Sequence, residues 1–387
     1  MGFDLFLDGG RVFDPATETI RRLNLAIDGG RIVEVVEVDE GSGSQAPKKT
    51  RQAEVTIPSQ GLLYTPAWVD AHAHFFHRGS EIGFDPDFLY PGTGVLAACD
   101  GGSAGPVTLP ALVDQIRNSR LELRCLVNVS LLGLMTLAFP EADREAYLAP
   151  EAAAEAARRY PAEVRGIKVR VDTTAVGMDG RKALAAARKA ADLAGLPLVV
   201  HITRPALPLA AVFEVLKTGD IITHTFHGKG EGILDPNGKV RSEVWEAREQ
   251  GVLFDIAQGM NHLSFRVAEA ALAQGFIPDF ISTDWIARTA LRPPVGDLAT
   301  VVARFLAVGL DLPAALSRVT SRPAAFLDLP DYPWEIRPGA AADLVGWEVR
   351  ETPWEVVDSL GEVRTAPLSL RPVVVIKGGQ LIFRHQW

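Results

Sequence analysis

Between residues 61 and 329, eight short apolar runs alternate with stretches of amphipathic, helical pattern. Each run is continuously apolar, which is typical of parallel strands that are covered on both faces. The stretch GRKALAAARKAADLAGLP has helical spacing and ends at Gly195 and Pro197, which together form a helix stop. The runs are LLYTPAWVD, GVLAACD, LRCLVNVS, GIKVRV, PLVVHI, DIITHT, VLFDI and FISTD. Eight strands alternating with helices predict an α/β fold of the (β/α)8 TIM-barrel type.

The segments on either side of this pattern predict a second, smaller domain. Residues 1–60 contain short strand patterns with Asp-Gly-Gly turns, and glycine supplies the positive φ that tight hairpin turns require. β character returns near the end of the chain, where a separate domain of roughly sixty residues would be marginally stable. We therefore predict one small β-sandwich domain built from residues 1–60 and 330–387, a barrel over residues 61–329, and a polar surface loop from Gly41 to Gln52.

Composition excludes several classes of partner. The formal net charge is −9, and no Lys/Arg run marks a nucleic-acid footprint, so we expect binding neither to nucleic acid nor to membranes. Cys99 and Cys125 lie in apolar strand patterns, which predicts buried free thiols and a reducing cytoplasm. The N-terminus lacks a signal-peptide pattern, so we expect a soluble, unprocessed protein. A small-molecule substrate is the expected partner, and assembly into a homo-oligomer stays open.

Ionisable residues fall at the C-terminal ends of the predicted barrel strands, where barrel enzymes place their active groups. In VDAHAHFF the strand period of two directs the acid and both imidazoles to one face of the strand. Two histidines must point to the same side if they are to bind one metal. A lone strand histidine is usually a satisfied core residue. Four histidines and an aspartate would each need a buried partner, which a metal supplies to all of them at once. The residues at these strand ends are Asp70, His72, His74, Lys168, His201, His224 and Asp284.

Lys168 differs in charge from the other members of this set. A bare ammonium inside a barrel, among histidines, would be costly to bury and would repel cations. A neutral amine that reacts with CO2 becomes a carbamate, which can bridge two divalent ions roughly 3.5 to 4 Å apart. The alternative is an outward-facing lysine paired with an acid.

The order Asp-x-His-x-His, Lys, His, His, Asp, between GGRIVEVV and PGAAADLV, resembles the amidohydrolase superfamily over nearly the whole chain. More narrowly, GIKVR, ITHTFHGKG and GFIPDFISTD look like the amidohydrolase/deacetylase branch, relatives of dihydroorotase. The resemblance implies a binuclear metal-dependent hydrolase that cleaves an acyclic amide or ester, such as an N-acyl amino acid or an acetylated 2-hydroxy acid. A hydroxide that bridges the two metals would be the nucleophile.

The same resemblance assigns roles to the strand-end residues. The first metal would be held by His72, His74 and Asp284. The second would be held by His201 and His224, and carboxylated Lys168 would bridge the two. Zinc suits these ligands best, although manganese, cobalt and iron are also compatible with them. Asp284 would also move the proton from the nucleophile to the leaving group, and Asp70 would be a structural acid.

Substrate-binding candidates lie next to these ligands. Arg170 shares the predicted inward face of Lys168, and it would either bind a substrate carboxylate or pair with an acid such as Asp172. His227 lies in the loop after His224, where it would either contact substrate or be solvated. Arg204 and Trp285 together favour an acidic substrate with an apolar part.

The chain departs from the branch pattern in two loops. The expected HIGEP is HITRP, which contains Arg204, and the expected Gly-His-Gly after strand seven is AQGMNHL. Gln258 therefore stands at the histidine position and His262 follows later. The metal chemistry should be intact, but the preference for substrate is open.

Two other enzyme classes and a non-catalytic protein are the alternatives to this function. Dihydroorotases place a substrate-binding arginine where this chain has Phe76, which weakens a cyclic amide hydrolase such as a dihydroorotase or hydantoinase. Single-metal deaminases carry His-x-x-Glu after strand five, whereas Arg204 lies three residues after His201 here. A non-catalytic scaffold relative would be expected to lose ligands, and none is missing.

Overall fold

The computed structural model describes residues 2–38, 53–177, 179–293 and 295–384. The predicted loop from Gly41 to Gln52 lies outside these described residues.

The strands of the described chain are β1 Phe3–Asp14, β2 Thr19–Asp28, β3 Arg31–Glu37, β4 Ala53–Pro58, β5 Leu62–Pro66, β6 Trp68–Ala73, β7 Val95–Asp100, β8 Glu122–Asn128, β9 Val164–Arg170, β10 Leu198–His201, β11 Ile221–Thr223, β12 Leu253–Asp255, β13 Leu344–Arg350, β14 Trp354–Val357, β15 Val363–Ala366, β16 Ser369–Lys377 and β17 Gln380–Arg384. The helices are α1 Pro86–Leu89, α2 Leu109–Asn118, α3 Pro150–Arg159, α4 Thr173–Val176, α5 Arg181–Ala194, α6 Leu209–Phe213, α7 Ser242–Glu249, α8 Phe265–Ala273, α9 Leu298–Ala307, α10 Leu312–Ser317 and α11 Ser321–Leu327. Two 3₁₀ turns cover Pro91–Thr93 and Glu145–Tyr147.

The barrel sheet is parallel and follows the chain from β6 to β12 in spatial order. Single parallel bridges join Asp255 to Phe280 and Ala73 to Trp285. The run FISTD therefore lies between the first and last strands of this sheet and takes the eighth position. The TIM-barrel prediction is confirmed, and the helix predicted to stop at Gly195 ends there with Gly195 at φ +67°.

A second sheet combines both ends of the chain, in the order β17-β16-β13-β5-β1-β2-β3, with β4 paired to β1. This confirms a β-rich unit assembled from the N- and C-terminal segments. The prediction that LLYTPAWVD forms a single barrel strand was wrong, because β5 pairs with β1 and β13 while β6 pairs with β7. Ala67 lies between them and donates its N–H to the Asp343 carbonyl at 2.9 Å. The domain boundaries near residues 60 and 330 stay a prediction.

The interior contains the expected apolar side chains. Both cysteines are buried free thiols, as predicted. A separate apolar cluster fills the second sheet, with Leu5, Leu25 and Ile376 among its members. Among the described helices, none combines the length and apolar character needed to cross a bilayer.

Candidate metal centre

A cavity of about 170 Å³ lies at the C-terminal ends of the barrel strands. The strand-end rule predicted this position, because each parallel strand delivers its last residues to the same rim. All of the predicted metal ligands line this cavity: His72, His74, Lys168, His201, His224 and Asp284.

Three of these histidines have their Nδ1 atom anchored by a buried partner, which leaves Nε2 for the cavity. This is the usual arrangement of metal-binding imidazoles, whose outer partner fixes the orientation of the ring. Burial lowers the pKa of both His72 and His224 well below the ordinary value, so these rings are neutral and can donate a lone pair. The anchors are Asp255 Oδ2 at 3.1 Å for His72, Ser103 Oγ at 2.8 Å for His74 and the Ala257 carbonyl at 2.8 Å for His224.

His72, His74 and Asp284 form a compact group whose ligand atoms lie within 4.8 Å of one another. Asp284 Oδ1 is 3.2 Å from His74 Nε2 and 3.8 Å from His72 Nε2. Burial is the largest influence on the pKa of the Asp284 carboxyl and raises it, but the pKa still lies below its ordinary value, and the hydrogen bond with His74 is the main cause of that lowering. The carboxylate is therefore ionised, as a metal ligand requires.

Lys168 is 1 % exposed and its Nζ lies 3.2 Å from His72 Nε2. Within the described part of the chain, no carboxylate oxygen forms an ion pair with it, so the outward, acid-paired alternative is wrong. Burial lowers the pKa of this amine to about 8, which raises the fraction of the neutral, CO2-reactive form at neutral pH. Both observations fit the predicted carbamate.

His201 reaches the cavity from β10, with its ring centroid 4.0 Å from that of His224. Its Nε2 lies 3.6 Å from Asp172 Oδ2, which is too far for a hydrogen bond. Burial lowers the pKa of His201 well below its ordinary value. The imidazoles and the carboxylate of this cavity are a donor set that fits a divalent metal.

Asp70 does not share the inward face that strand alternation predicted. The pairing of β6 with β7 shifts register between Asp70 and Ala73, which breaks the alternation. Asp70 Oδ2 instead accepts hydrogen bonds from Tyr90 at 2.9 Å and from the hydroxyl of Thr283 at 2.5 Å. Burial raises its pKa to about 7. It ties β6 to the eighth strand position, which agrees with the structural role expected for it.

Arg170 lines the cavity, but its charge is already matched. Nε and Nη2 each donate to Glu141 at 2.7 Å, and Nη1 lies 3.6 Å from Asp172 Oδ2. The sequence left substrate binding and acid pairing open, and the structure shows pairing. Glu141 was missed because it lies in a loop, where no periodicity points to its partner.

Arg204 lines the cavity and is exposed, with a left-handed backbone at φ +50°. Arg288, which the sequence did not single out, also lines it and is exposed. Neither forms an ion pair with another described residue within 4.0 Å, so both are available to an anion.

Two substrate-binding predictions do not hold in this structure. Trp285 is fully buried, donates its indole N–H to the Gly296 carbonyl at 2.7 Å, and stacks on Tyr90 at 5.3 Å between ring centroids. His227 is 2 % exposed and accepts a hydrogen bond from the Lys229 backbone N–H. Neither side chain lines the cavity. Both residues were predicted to bind substrate because they lie close along the chain to a predicted metal ligand. Closeness along the chain does not determine which way a side chain points.

Two further residues at the site were not assigned a role from the sequence. Asp255, at the end of the run VLFDI, meets the strand-end criterion that found the other residues, and burial raises its pKa to about 6. His262 lines the cavity and forms a second compact group with His224 and Asp284. His262 lies in a loop, where no periodicity in the sequence predicts which way a side chain points.

Known proteins that are similar to this chain include two deacetylases and an adenine deaminase of known structure. No family model matches the chain. A deacetylase from Enterococcus faecalis is 30% identical over 386 residues, which is 98% of this chain and 99% of that protein. The chain belongs to the amidohydrolase superfamily. A deacetylase from Agrobacterium fabrum is 29% identical over 88% of this chain and 83% of its own length. The crystal structure of an adenine deaminase matches with a TM-score of 0.86 and 30% identity, over 99% of this chain and 100% of that one.

The similarity to these enzymes over nearly the whole chain identifies it as a hydrolytic enzyme. The amidohydrolase places its intact set of potential ligands in one buried cavity.

Proposed function

We propose that this amidohydrolase is a binuclear metal-dependent hydrolase that removes an acyl group from an acyclic amide or ester. The observation that carries this is the convergence of four histidines, a buried lysine and an aspartate on one cavity. The similarity to two deacetylases over most of the chain supports acyl removal.

The residues present would hold two metals in the arrangement that the resemblance implies. His72, His74 and Asp284 would hold the first ion, His201 and His224 the second, and a carbamate on Lys168 would bridge them. Zinc is compatible with this mixture of imidazole and carboxylate ligands. When bound, the ions would lower the pKa of a water molecule and polarise the carbonyl of the substrate.

Asp284 is the residue of this chain best placed to move the proton. Its carboxylate is ionised, faces the cavity, and is held in a left-handed backbone conformation at φ +50°. Such strain at a non-glycine residue persists only where its surroundings fix the conformation, and it is common at active sites. Asp284 would accept the proton of the attacking water and return it to the leaving nitrogen or oxygen.

The cavity walls support a substrate with an apolar part and an anionic group. Ile82, Leu134, Leu137 and Ile286 contribute apolar surface. Arg204 supplies a cation that no described acid neutralises, whereas Arg170 is already paired with Glu141. N-acyl amino acids and acetylated 2-hydroxy acids have both features, with the carboxylate close to the acyl group.

The test is a screen of the zinc- or manganese-loaded enzyme against N-acetyl-D- and L-amino acids, acetylated 2-hydroxy acids, dihydroorotate, hydantoins, lactones and adenine. We expect acetate release from the acyclic carboxylates. Activity on the cyclic compounds alone, or ammonia release from adenine, would overturn the proposal.

Arg204→Ala sharpens the same screen. We expect KM for carboxylate substrates to rise roughly 10- to 150-fold, because a hydrogen bond to a charged group contributes about 1.5–3 kcal/mol. An acetylated substrate without a carboxylate should be hydrolysed equally well by both enzymes. Arg337→Ala, at an exposed arginine that does not line the cavity, is the matched control. An unchanged KM in Arg204→Ala would remove this residue from carboxylate binding.

A further inference from the structure

His262 reaches the metal centre through a tight turn. Its backbone N–H donates to the Gln258 carbonyl at 3.1 Å, which folds the chain back over the cavity. Gly259 lies inside this turn at φ +48°, and a Cβ there would come within 2.4 Å of Asp284 Oδ2 and 2.7 Å of His262 Cδ2. Glycine therefore lets the backbone pass beside both side chains, which places the imidazole next to the carboxylate.

Gln258 does not fill the place of the histidine expected in this loop. Its side chain is fully buried and its Oε1 accepts a hydrogen bond from Arg304 at 3.0 Å. It does not line the cavity, whereas His262 does. The turn thus brings an imidazole into the site from a position four residues later in the chain.

The His262 ring is anchored in the same way as the predicted ligands. Its Nδ1 hydrogen-bonds with Thr203 Oγ1 at 2.8 Å, which leaves Nε2 3.7 Å from Asp284 Oδ2. His74 and His224 show the same division, with Nδ1 anchored and Nε2 turned to the cavity. An outer partner on one nitrogen is characteristic of imidazoles that bind metal through the other.

The donor atoms around His262 converge closely enough for one ion. The ligand atoms of His224, His262 and Asp284 all lie within 4.8 Å of one another. The ring of His262 is 4.0 Å from that of His224 and 5.2 Å from that of His201, measured between centroids. His201 joins neither of the compact histidine and carboxylate groups found in the described residues. His262 is therefore better placed to donate beside His224 than His201, the residue that the resemblance assigned to this position.

We propose that His262 is a metal ligand, which binds through Nε2 beside His224 and shares Asp284 with the first metal position. Asp284 Oδ1 faces His72 and His74, and its Oδ2 faces His262. One carboxylate would thus contact both ions. This differs from the ligand set that the resemblance implies, in which the loop after the seventh strand contributes no donor.

The test measures metal binding and does not depend on any substrate. The zinc-loaded enzyme and its His262→Ala and His262→Gln variants are dialysed against a series of zinc-buffered solutions, and bound zinc per chain is counted by mass spectrometry. We expect the variants to release one ion at a free zinc concentration at least about 10-fold higher than wild type does, because even loss of an outer partner weakens metal binding by that factor. The visible spectrum of the cobalt-loaded protein should change with it.

His77→Ala is the matched control, because His77 is exposed and does not line the cavity. Thermal unfolding followed by circular dichroism verifies that each variant folds, and His262→Gln serves if His262→Ala does not. Wild-type zinc affinity, stoichiometry and cobalt spectrum in a folded His262 variant would overturn the proposal, and would leave His262 as a residue that contacts only substrate. Because the readout is zinc, failure of the proposed hydrolysis would leave this result unaffected.

Discussion

The core of the second sheet and the cavity of the barrel are both buried, but they contain opposite kinds of side chain. Leu5, Leu25 and Ile376 represent the sheet core, which consists of apolar residues. His72 and Lys168 represent the cavity, where burial lowers the pKa of both groups. The sheet core buries apolar surface, whereas the cavity keeps ionisable groups away from water.

Burial therefore contributes free energy of opposite sign in the two regions. A fully buried leucine side chain contributes about 1.5–3 kcal/mol to folding. An ionised group costs free energy when buried, unless a partner compensates it. In the cavity, a metal is the partner that suits the imidazoles and the carboxylate, so we expect the sheet core to stabilise the fold and the cavity to serve chemistry. Substitutions in the two regions should therefore change different observables.

Asp284→Asn should produce the largest effect on turnover. Asparagine keeps an oxygen near His74 but cannot take up a proton, so kcat should fall by about 10²–10⁴-fold, the usual contribution of general acid–base catalysis. Steady-state kinetics combined with metal analysis checks this. Unchanged turnover at full metal content would remove Asp284 as the proton carrier.

Lys168→Ala should have the next largest effect and reduce activity by about 100-fold or more. Loss of an outer partner of a metal ligand costs roughly 10–100-fold, and we expect loss of a bridging ligand to cost more. Because the variant lacks the amine that would form the carbamate, added short carboxylic acids should restore part of the activity. The measurement is activity and metal content with and without propionate. Wild-type values for both in the variant would contradict the bridging role.

Leu25→Ala should leave kcat unchanged and act on stability alone. Leu25 is fully buried in the sheet core and does not line the cavity. The free energy of unfolding should fall by about 2–5 kcal/mol, the usual range for a buried leucine-to-alanine change. Denaturant unfolding beside steady-state kinetics tests the division between the two regions. A large loss of kcat in folded Leu25→Ala would show that the sheet and the cavity are coupled.

Most of the barrel, and most of the ionisable residues that line its cavity, could be predicted from the sequence. Continuous apolar runs identify parallel strands, and polar residues at their ends identify the catalytic rim, because every parallel strand points the same way. His72 and Asp284 were found in this manner. The eighth strand position and the small unit built from both ends followed from the same patterns.

The remaining features depend on loops and on register, which periodicity does not describe. The register shift in β6 turns Asp70 toward Tyr90. A loop residue, Glu141, neutralises Arg170. Trp285 packs inward although it follows a predicted ligand directly.

The class of fold and the types of candidate ligand follow from the sequence, because strand periodicity and strand-end chemistry are local properties of the chain. The tertiary structure was needed to find which cavity arginine is unpaired among the described residues, and which loop histidine we propose as a further metal ligand. Arg170 and Arg204 both line the cavity, but among the described residues only Arg170 forms an ion pair with an acid. His262 reaches the cavity because Gly259 allows a turn beside Asp284, and the direction of a loop side chain depends on such long-range contacts.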